Sequence, residues 1–553
     1  MTKDFKLQTQ VINDEQGNKK TDPESIAEVW RRYCSNLFKD DTGGAYDLPD
    51  AFELEPDILR SEVESAIKKL RNRKSPGSDG ITAETIKAMG EIGIDIFWVL
   101  CNKIWREGKW PSEWCESIFV PIYKKGSPVE CTNYRTVALI PHASKILLHI
   151  IHKRLEHYLL PEMAEEQCGF IPGKGTREQI LNVRQLIEKA REFNVTAFLL
   201  FVDFEKAFDS VKWHYLWEFL HSFGVPDHLI SLMKKLYDDN SATVRVNQTT
   251  SARFRTQAGT RQGCILSPAL FNAYTEFVMR KVLENWEGGV SVGGKKFNNL
   301  RYADDTTIIA GNAEDLEDIM ERLERICLEY GLRINKAKTK VMIIDRPTGN
   351  QPQRRRIAGY EVVDSFTYLG SLITNTGGSS EEIRRRITMA RSATSKLTKI
   401  WKDRSISNAT KLRLAKALIF PIATYAAETW TMKKADRKRI ESFEMWVYRR
   451  ILRVSWTEHR TNQSVLDELR VKERLLPSIN KAFLTFFGHV ARRNGSNEQL
   501  MVEGKVEGRR SRGRSPSRWV DQLKPLLGVS LPQAVHMAED RVAWREQARR
   551  ATS

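Results

Sequence analysis

The chain has 553 residues, too many for a single hydrophobic core, so we expect it to fold as several units. Lys and Arg total 88 against 70 Asp and Glu, and the formal net charge of +18 favours a polyanionic partner, with nucleic acid ahead of an anionic membrane surface. A generally solubilising surface is the alternative explanation of that charge.

The cysteine pattern and the hydropathy exclude two broad classes of protein. The 7 cysteines are scattered without a close pair, which argues against a disulfide framework and against a Cys-rich zinc site. The amino terminus has no apolar signal region, and no apolar run approaches the roughly 18 residues that cross a membrane. We therefore expect an intracellular protein that is neither secreted nor bound in a membrane.

The first part of the chain predicts helices separated by loops. A helical patch covers 26–38, and apolar residues recur at helical spacing over 58–70. A Pro/Gly/Asp loop follows at 75–81. Apolar stretches at 117–126 and 133–141 lie between further helical segments.

The middle of the chain predicts the strands of a sheet. TAFLLFV at 196–202 is a continuous apolar run that predicts a fully buried strand, and it ends directly on Asp203. A second strand is predicted at 242–247, followed by a Gly-rich turn at 259–268 that leads into a helix. Another helix is predicted over 314–330.

After about residue 380 the sequence predicts basic helices. Ser379 and Glu382 have the spacing of a capping box at the start of the first one. Apolar residues at helical spacing predict its inward face: Ile383, Ile387, Ala390, Thr394, Leu397 and Trp401.

Two more basic helices and an Arg-rich segment complete the chain. The helices are predicted over 408–430, with an interruption at Pro421, and over 435–453. The segment 508–518 contains Arg but no acidic or apolar residue, which predicts disorder when it is free.

Two adjacent carboxylates, Asp304 and Asp305, stand at the tip of a hairpin predicted for 301–310. Asp is a favoured turn residue, so a solvated pair is one interpretation. The other is a cation site, because hard divalent ions take convergent carboxylate oxygens. If this hairpin neighbours the strand that ends at Asp203, three carboxylates converge at one sheet edge. That arrangement suits two Mg²⁺ or Mn²⁺ ions.

Ordered sequence blocks surround these aspartates. The blocks are RKSPGSDGI (73–81), NYRTVALIP (133–141), QCGFIPGKGTREQI (167–180), FVDFEKAFDSV (201–211), RQGCILSPALFN (261–272), RYADDTTII (301–309), GLRINKAKTK (331–340) and FTYLGSLIT (366–374). Their order and spacing resemble a reverse transcriptase of the non-LTR (LINE-type) retrotransposon branch. The resemblance is strong over about residues 55–375 and looser to about 525.

The resemblance implies roles for the residues at the centre of these blocks. Asp203 and Asp304 match the metal-binding aspartates, and Asp305 matches their neighbour. Phe204 would contribute its backbone carbonyl to a metal. Lys338 is the candidate proton donor to the departing pyrophosphate, although a solvated surface lysine is nearly as good an explanation.

Five other residues would contact the incoming nucleotide. Phe208 matches the bulky residue that excludes a ribose 2′-hydroxyl, with an ordinary core residue as the alternative. Arg135 would hold the triphosphate with its planar guanidinium, and Lys74 could assist. Gln262 and Gly263 match the turn against the nascent base pair, where Gly permits close backbone approach.

The last matching block and the basic helices would hold nucleic acid. Tyr368, Leu369 and Gly370 match the hairpin that supports the primer end. The helices beyond residue 380 would form a thumb that neutralises the phosphates of a template–primer duplex. A charged, solvated helix face is the alternative.

The implied fold class is α+β, a right-hand polymerase with fingers, a palm built on an antiparallel sheet, a helical thumb and a basic helical C-terminal region. The segments would be a linker-like 1–54, fingers and palm at 55–375, a thumb-like region at 376–480 and the basic region at 481–553. No segment resembles an endonuclease or a ribonuclease H, so we expect a polymerase portion without its endonuclease.

The implied activity is that of an RNA-directed DNA polymerase in target-primed reverse transcription. Its partners would be an RNA template, a DNA primer or target DNA, and dNTPs, and a nuclear location would give access to chromosomal DNA. The alternative is a catalytically silent, nucleic-acid-binding relic of such an element. The sequence leaves the template, the target site and the oligomeric state open.

Overall fold

The computed structural model of the protein describes residues 10–41, 43–49, 52–345, 355–510 and 517–552. Two compact units interleave along the chain. The first comprises Met1–Ala164, Phe204–Trp286 and Glu321–Ile334, and the second comprises Glu165–Asp203, Glu287–Met320 and Asn335–Ser553. The four contiguous segments predicted from the sequence stay predictions.

The first unit places helices around a five-stranded sheet. The strands of that sheet are Glu116–Tyr123, Tyr134–Leu139, Ser241–Val246, Thr249–Thr250 and Phe254–Arg255, and a separate pair is formed by Ile12–Asn13 and Lys19–Lys20. The α-helices are Pro23–Leu37, Arg60–Lys69, Ala83–Ala88, Gly90–Glu107, Ser112–Cys115, His142–Glu162, Trp213–Ser222, Asp227–Asp238 and Ser267–Leu283. The helix Ala313–Glu329 begins in the second unit and ends in the first.

The second unit contains a six-stranded sheet and most of the basic helices. The strands of that sheet, in spatial order, are Asn299–Tyr302, Asp305–Ala310, Ala197–Val202, Lys340–Ile344, Tyr360–Val362 and Arg356–Ile357. Two separate hairpins are formed by Val290–Val292 with Lys295–Phe297 and by Ser365–Tyr368 with Ser371–Thr374. Its helices are Thr176–Phe193, Ser380–Lys396, Thr398–Lys402, Asn408–Leu414, Phe420–Ala423, Lys434–Leu452, Asn462–Leu469, Leu475–Ala491, Asn497–Glu503, Leu523–Leu527, Leu531–Glu539 and Arg541–Arg550. The expected α+β class is confirmed.

The strand Ala197–Val202 lies at the centre of the six-stranded sheet. Asp305–Ala310 pairs with it on one side and Lys340–Ile344 on the other, both antiparallel. All six of its residues are buried, because neighbours cover both edges and both faces, as the continuous apolar run predicted. Beyond Lys340–Ile344 the sheet adds one parallel neighbour, Tyr360–Val362, which an entirely antiparallel palm sheet would not contain.

The first basic helix begins without the predicted capping box. Ser379 is its N-cap residue, but the Ser379 hydroxyl accepts hydrogen bonds from Arg184 at 3.2 Å and from the Thr431 N–H at 3.0 Å. The fully buried Glu382 accepts from the Leu372 N–H at 3.0 Å. Tertiary partners therefore replace the local cap, and the capping-box prediction is wrong.

The predicted inward face of this helix is confirmed. The buried residues are Ile383, Ile387, Ala390, Thr394 and Trp401, with Leu397 partly buried against the same cluster. The helix ends at Lys396, however, and a short second helix, Thr398–Lys402, carries the tryptophan. The Trp401 indole N–H donates to the Thr394 carbonyl at 2.7 Å across that break.

The predicted interruption at Pro421 is also confirmed. The segment expected to be one helix divides into Asn408–Leu414, a π-helical turn at Ala415–Ile419 and Phe420–Ala423. Proline has no N–H to donate and crowds the preceding turn, so the wider π turn relieves the clash.

The Arg-rich segment 508–518 lies partly outside the described residues, at 511–516. Its described flanks are held by ion pairs, Arg510 with Glu192 at 2.9 Å and Arg518 with Asp521 at 2.9 Å. The residues that follow enter a hydrophobic cluster through Trp519, Leu523 and Trp544. The predicted disorder of the segment when free stays a prediction.

All seven cysteines are buried and free. In the described part of the chain, no helix combines the length and the apolar character that a membrane span requires.

Candidate functional site

A cleft opens at one edge of the second unit's sheet. Thr306 lies opposite Val202 in an antiparallel pair, so the next residues along the two strands, Asp305 and Asp203, reach the same sheet edge. The cleft has a volume of about 380 Å³, and its lining includes Asp203, Asp305, Lys338, Lys340, Tyr368 and Leu369. The predicted pairing of these two strands is confirmed.

Asp304 occupies the two-residue turn between Asn299–Tyr302 and Asp305–Ala310. The other turn residue, Ala303, has a φ of 56°, a left-handed conformation that is uncommon outside glycine. Its N–H donates to the side-chain oxygen of the buried Gln167 at 3.0 Å. Gln167 therefore fixes the turn that carries Asp304, a role that no sequence pattern indicated.

The aspartates offer carboxylate oxygens but not a closed metal cage. Within the described residues, no three side chains of His, Cys, Asp or Glu lie close enough together to hold a metal ion. Asp203 and Asp305 line the cleft, and Asp304 stands half-buried in the adjoining turn. A site formed by all three aspartates stays a prediction.

Lys338 lies beside Asp203. Its ammonium is 3.1 Å from the Asp203 carboxylate, and the two side chains are 52% and 37% exposed. The backbone of Asp203 is fixed by the same loop, because its carbonyl accepts from the Asn335 N–H at 2.8 Å and its N–H donates to the Thr339 hydroxyl at 3.2 Å. The lysine therefore lines the cleft, and its role as a proton donor stays a prediction.

The hairpin of Ser365–Tyr368 and Ser371–Thr374 forms another wall of the cleft. Leu369 and Gly370 make its turn, both at positive φ (44° and 81°). The Tyr425 hydroxyl donates to the Leu369 carbonyl at 2.8 Å, and Arg385 donates to the Gly370 carbonyl at 3.2 Å. Both donors belong to the chain beyond residue 380, and no sequence pattern indicated either of them.

Tyr368 differs from its two neighbours in the turn. Its side chain is 3% exposed and packs in a core cluster, 5.6 Å from the Phe201 ring centroid. Burial raises the pKa of its hydroxyl. The ring therefore anchors the hairpin, while Leu369 and Gly370 present backbone at its tip.

Phe208 and Gln262 lie in the first unit. The Phe208 ring stacks on Phe271 with centroids 4.0 Å apart and planes at 19°. The Gln262 side-chain amide donates to the Asp209 carboxylate at 2.9 Å. Burial raises the pKa of Asp209 to about 6, while Lys206 and the Gln262 amide act in the opposite direction. No sequence pattern singled out Asp209.

The remaining predicted residues of the first unit lie on loops and strands. Gly263 has a φ of 108°, and a Cβ there would lie 3.0 Å from the Ala138 carbonyl oxygen, so glycine is required. Arg135 is exposed on Tyr134–Leu139, and Lys74 is exposed in a loop. Phe204 pairs with Ile334 in an isolated β-bridge.

The chain resembles known proteins over much of its length. Residues 122–373 match the family described as reverse transcriptase (RNA-dependent DNA polymerase). The chain is 28% identical over 60% of its length to the transposon TX1 uncharacterized 149 kDa protein of Xenopus laevis, of which it covers 26%. It is 26% identical over 72% of its length to the probable RNA-directed DNA polymerase from transposon X-element of Drosophila melanogaster, of which it covers 44%.

Solved structures also align with the chain. The apo telomerase from Candida tropicalis matches with a TM-score of 0.38 and 13% identity, over 72% of this chain and 70% of that one.

Proposed function

We propose that this chain, which belongs to the reverse transcriptase family, is an RNA-directed DNA polymerase that adds deoxynucleotides to a primer 3′-hydroxyl. The observation that carries the proposal is the cleft at the sheet edge, where Asp203 and Asp305 lie with Lys338 and Leu369. A phosphoryl-transfer site needs positioned charge of this kind more than it needs covalent chemistry.

The donor groups of the cleft fit a hard divalent cation such as Mg²⁺ or Mn²⁺, because they are carboxylate oxygens without sulfur or imidazole. Asp203, Asp304 and Asp305 would hold such ions. A pair of bound ions would supply activation of the attacking hydroxyl and stabilisation of the leaving phosphate oxygen. The Lys338 Nζ lies 3.1 Å from the Asp203 carboxylate, and Lys338 would donate a proton to the departing pyrophosphate.

The family implies nucleotide contacts for five residues of the first unit. Arg135 and Lys74 would hold the triphosphate, Gln262 and Gly263 would lie against the base pair, and Phe208 would select the sugar. The hydrogen bond between Gln262 and Asp209 supports this proposal, because it fixes the orientation of a side-chain amide.

The partners and the setting follow from the same family. An RNA template, a DNA primer or target, and target-primed synthesis in the nucleus fit relatives named for transposons. A silent relic that only binds nucleic acid is the competing function. Primer extension on poly(rA)–oligo(dT) with Mg²⁺ or Mn²⁺ tests the proposal, and a purified, folded chain that adds no dNMP would contradict it.

The Phe208→Ala variant is expected to incorporate ribonucleotides, because the proposed exclusion is steric and the smaller side chain leaves room for a 2′-hydroxyl. Competition between rNTPs and dNTPs on one template measures the change. Phe208→Leu keeps most of the bulk and should keep the preference for dNTPs. An unchanged preference in the alanine variant would make Phe208 a core residue stacked on Phe271.

Binding of an RNA–DNA hybrid is expected to weaken steeply with salt, and the exposed Lys399 and Lys402 should contribute to the slope. The slope of log K against log salt is negative, and changing both lysines to Gln should make it shallower by about 2, since each phosphate contact contributes about 0.9. Fluorescence anisotropy over a salt series measures it. The pair Lys103→Gln and Lys109→Gln, exposed in the first unit, is the charge-matched control and should leave the slope unchanged.

A further inference from the structure

A short segment, residues 165–169, supports the Asp304 turn, and we call it the strap. It runs parallel to Asn299–Tyr302: the Arg301 N–H donates to the Glu166 carbonyl, and the Cys168 N–H donates to the Arg301 carbonyl, each at 2.9 Å. At the end of the strap, the Gln167 side-chain oxygen accepts from the Gly169 N–H at 2.7 Å as well as from Ala303. The position of the turn therefore depends on the position of the strap.

The strap is held in turn by the helix Asn497–Glu503. The Asn497 N–H donates to the Glu165 carboxylate at 2.9 Å. The Lys295 ammonium donates to the Asn497 side-chain oxygen at 2.8 Å and pairs with the carboxylates of Glu165 and Glu166 at 3.0 Å each. One lysine thus ties the helix to both acidic residues at the start of the strap.

A second connection between this helix and the strap runs through the helix Thr176–Phe193. The Gln179 side-chain amide donates to the Glu166 carbonyl at 2.6 Å and to the Arg301 carbonyl at 3.0 Å. Asn182 donates to the Gln179 oxygen at 3.2 Å, and its contact with the Glu498 carboxylate, at 3.4 Å, is long.

Burial strengthens the contacts of five residues in this network, whereas the Lys295 and Glu165 side chains are 34% and 37% exposed. Gln167, Gln179, Asn182, Asn497 and Glu498 are each at most 2% exposed. Water cannot readily replace a partner that is lost at such positions, so the network favours one arrangement of helix, strap and turn.

We propose that the helix Asn497–Glu503 positions the Asp304 turn, and that Asn497 and Lys295 are positioning residues for nucleotide addition. The helix lies far beyond residues 122–373, which match the reverse transcriptase family, so the match gives it no role. The inference rests on the proposed polymerase function for its effect on rate, but not for its effect on the turn itself.

The Asn497→Ala and Lys295→Met variants test this in the full-length chain. Each is expected to lower kcat about 10- to 100-fold, the scale on which small displacements of reacting groups act. The KM for dNTP and the Kd for template–primer should stay near the wild-type values, because neither residue is proposed to bind them. Lys295→Arg keeps a cationic donor and should restore most of the rate.

Hydrogen exchange provides a readout that needs no activity. Peptides covering 299–306 should exchange faster in Asn497→Ala and Lys295→Met, while the helix Lys434–Leu452 should exchange as in the wild type, which separates a local change from unfolding. Glu503→Gln, an exposed change on the same helix, is the matched control and should alter neither rate nor exchange.

The outcomes separate the two proposals. If the wild type adds no nucleotide, the proposed function fails, and faster exchange at 299–306 still supports the positioning role. Wild-type exchange in both variants overturns the inference, even if the wild type is an active polymerase. Should Asn497→Ala fail to fold, the comparison of Lys295→Met with Lys295→Arg decides the question by the same measurements.

Discussion

Replacing Asp203 with asparagine is expected to abolish nucleotide addition while template–primer binding persists. Asparagine keeps the shape of the side chain but removes the negative charge that faces Lys338 and would bind a divalent cation. Affinity for the duplex should remain, because it comes mainly from Lys and Arg contacts to phosphates. Primer extension and fluorescence anisotropy on the same poly(rA)–oligo(dT) substrate measure the two properties.

Asp318→Asn is the matched control for this prediction. Asp318 is exposed on the helix Ala313–Glu329 in the second unit, so it carries the same change of charge outside the cleft. Its activity should equal that of the wild type. If Asp203→Asn retained more than a few per cent of the activity, Asp203 would lose its assignment as a metal ligand.

Replacing Gly169 with alanine is expected to disturb the Asp304 turn directly. A Cβ at this position would lie 2.1 Å from the backbone nitrogen of Ala303, which cannot move away because its N–H is bonded to Gln167. Forcing an extra methyl group into a packed interior costs about 1–3 kcal/mol. The rate of nucleotide addition should also fall, by about 100-fold, because the displaced atoms belong to the turn that carries Asp304.

Thermal unfolding and primer extension together test this second prediction. Gly378→Ala is the control, because the nearest atom to its Cβ would be the Thr376 hydroxyl at 3.8 Å, an ordinary contact. The control should change neither the Tm nor the rate. Wild-type activity in Gly169→Ala would show that the turn can shift without consequence, and the account of the strap would then be wrong.

The two predictions separate a polymerase from a nucleic-acid-binding relic. A relic would bind template–primer with the same salt dependence, and neither Asp203→Asn nor Gly169→Ala would change any rate, since there would be none to change. A wild-type chain that extends primers and loses this activity in Asp203→Asn is explained only by the catalytic proposal.

Local pattern was enough to predict the centre of the second unit. The run at 197–202 is apolar at every position, and only a strand covered on both faces buries such a run. The hairpin predicted for 301–310 is present, but its turn is Ala303–Asp304, and Asp305 is the first residue of the second strand. The interruption at Pro421 was also predicted, because it depends on the backbone chemistry of proline. The inward face of the first basic helix was predicted from the helical period of its side chains.

The sequence by itself therefore determined the strand that ends at Asp203, the hairpin that carries Asp304 and Asp305, and the order of the blocks, since each depends on neighbours within a few residues. Only the tertiary structure decided that the Ser379 hydroxyl accepts from Arg184 and not from the N–H groups of its own helix. The same holds for the burial of Tyr368 in the core and for the contact of Asn497 with the strap that supports the Asp304 turn. Those contacts join residues tens to hundreds of positions apart. No local pattern encodes them, because a polar side chain satisfies its hydrogen bonds with whichever group the fold brings within reach.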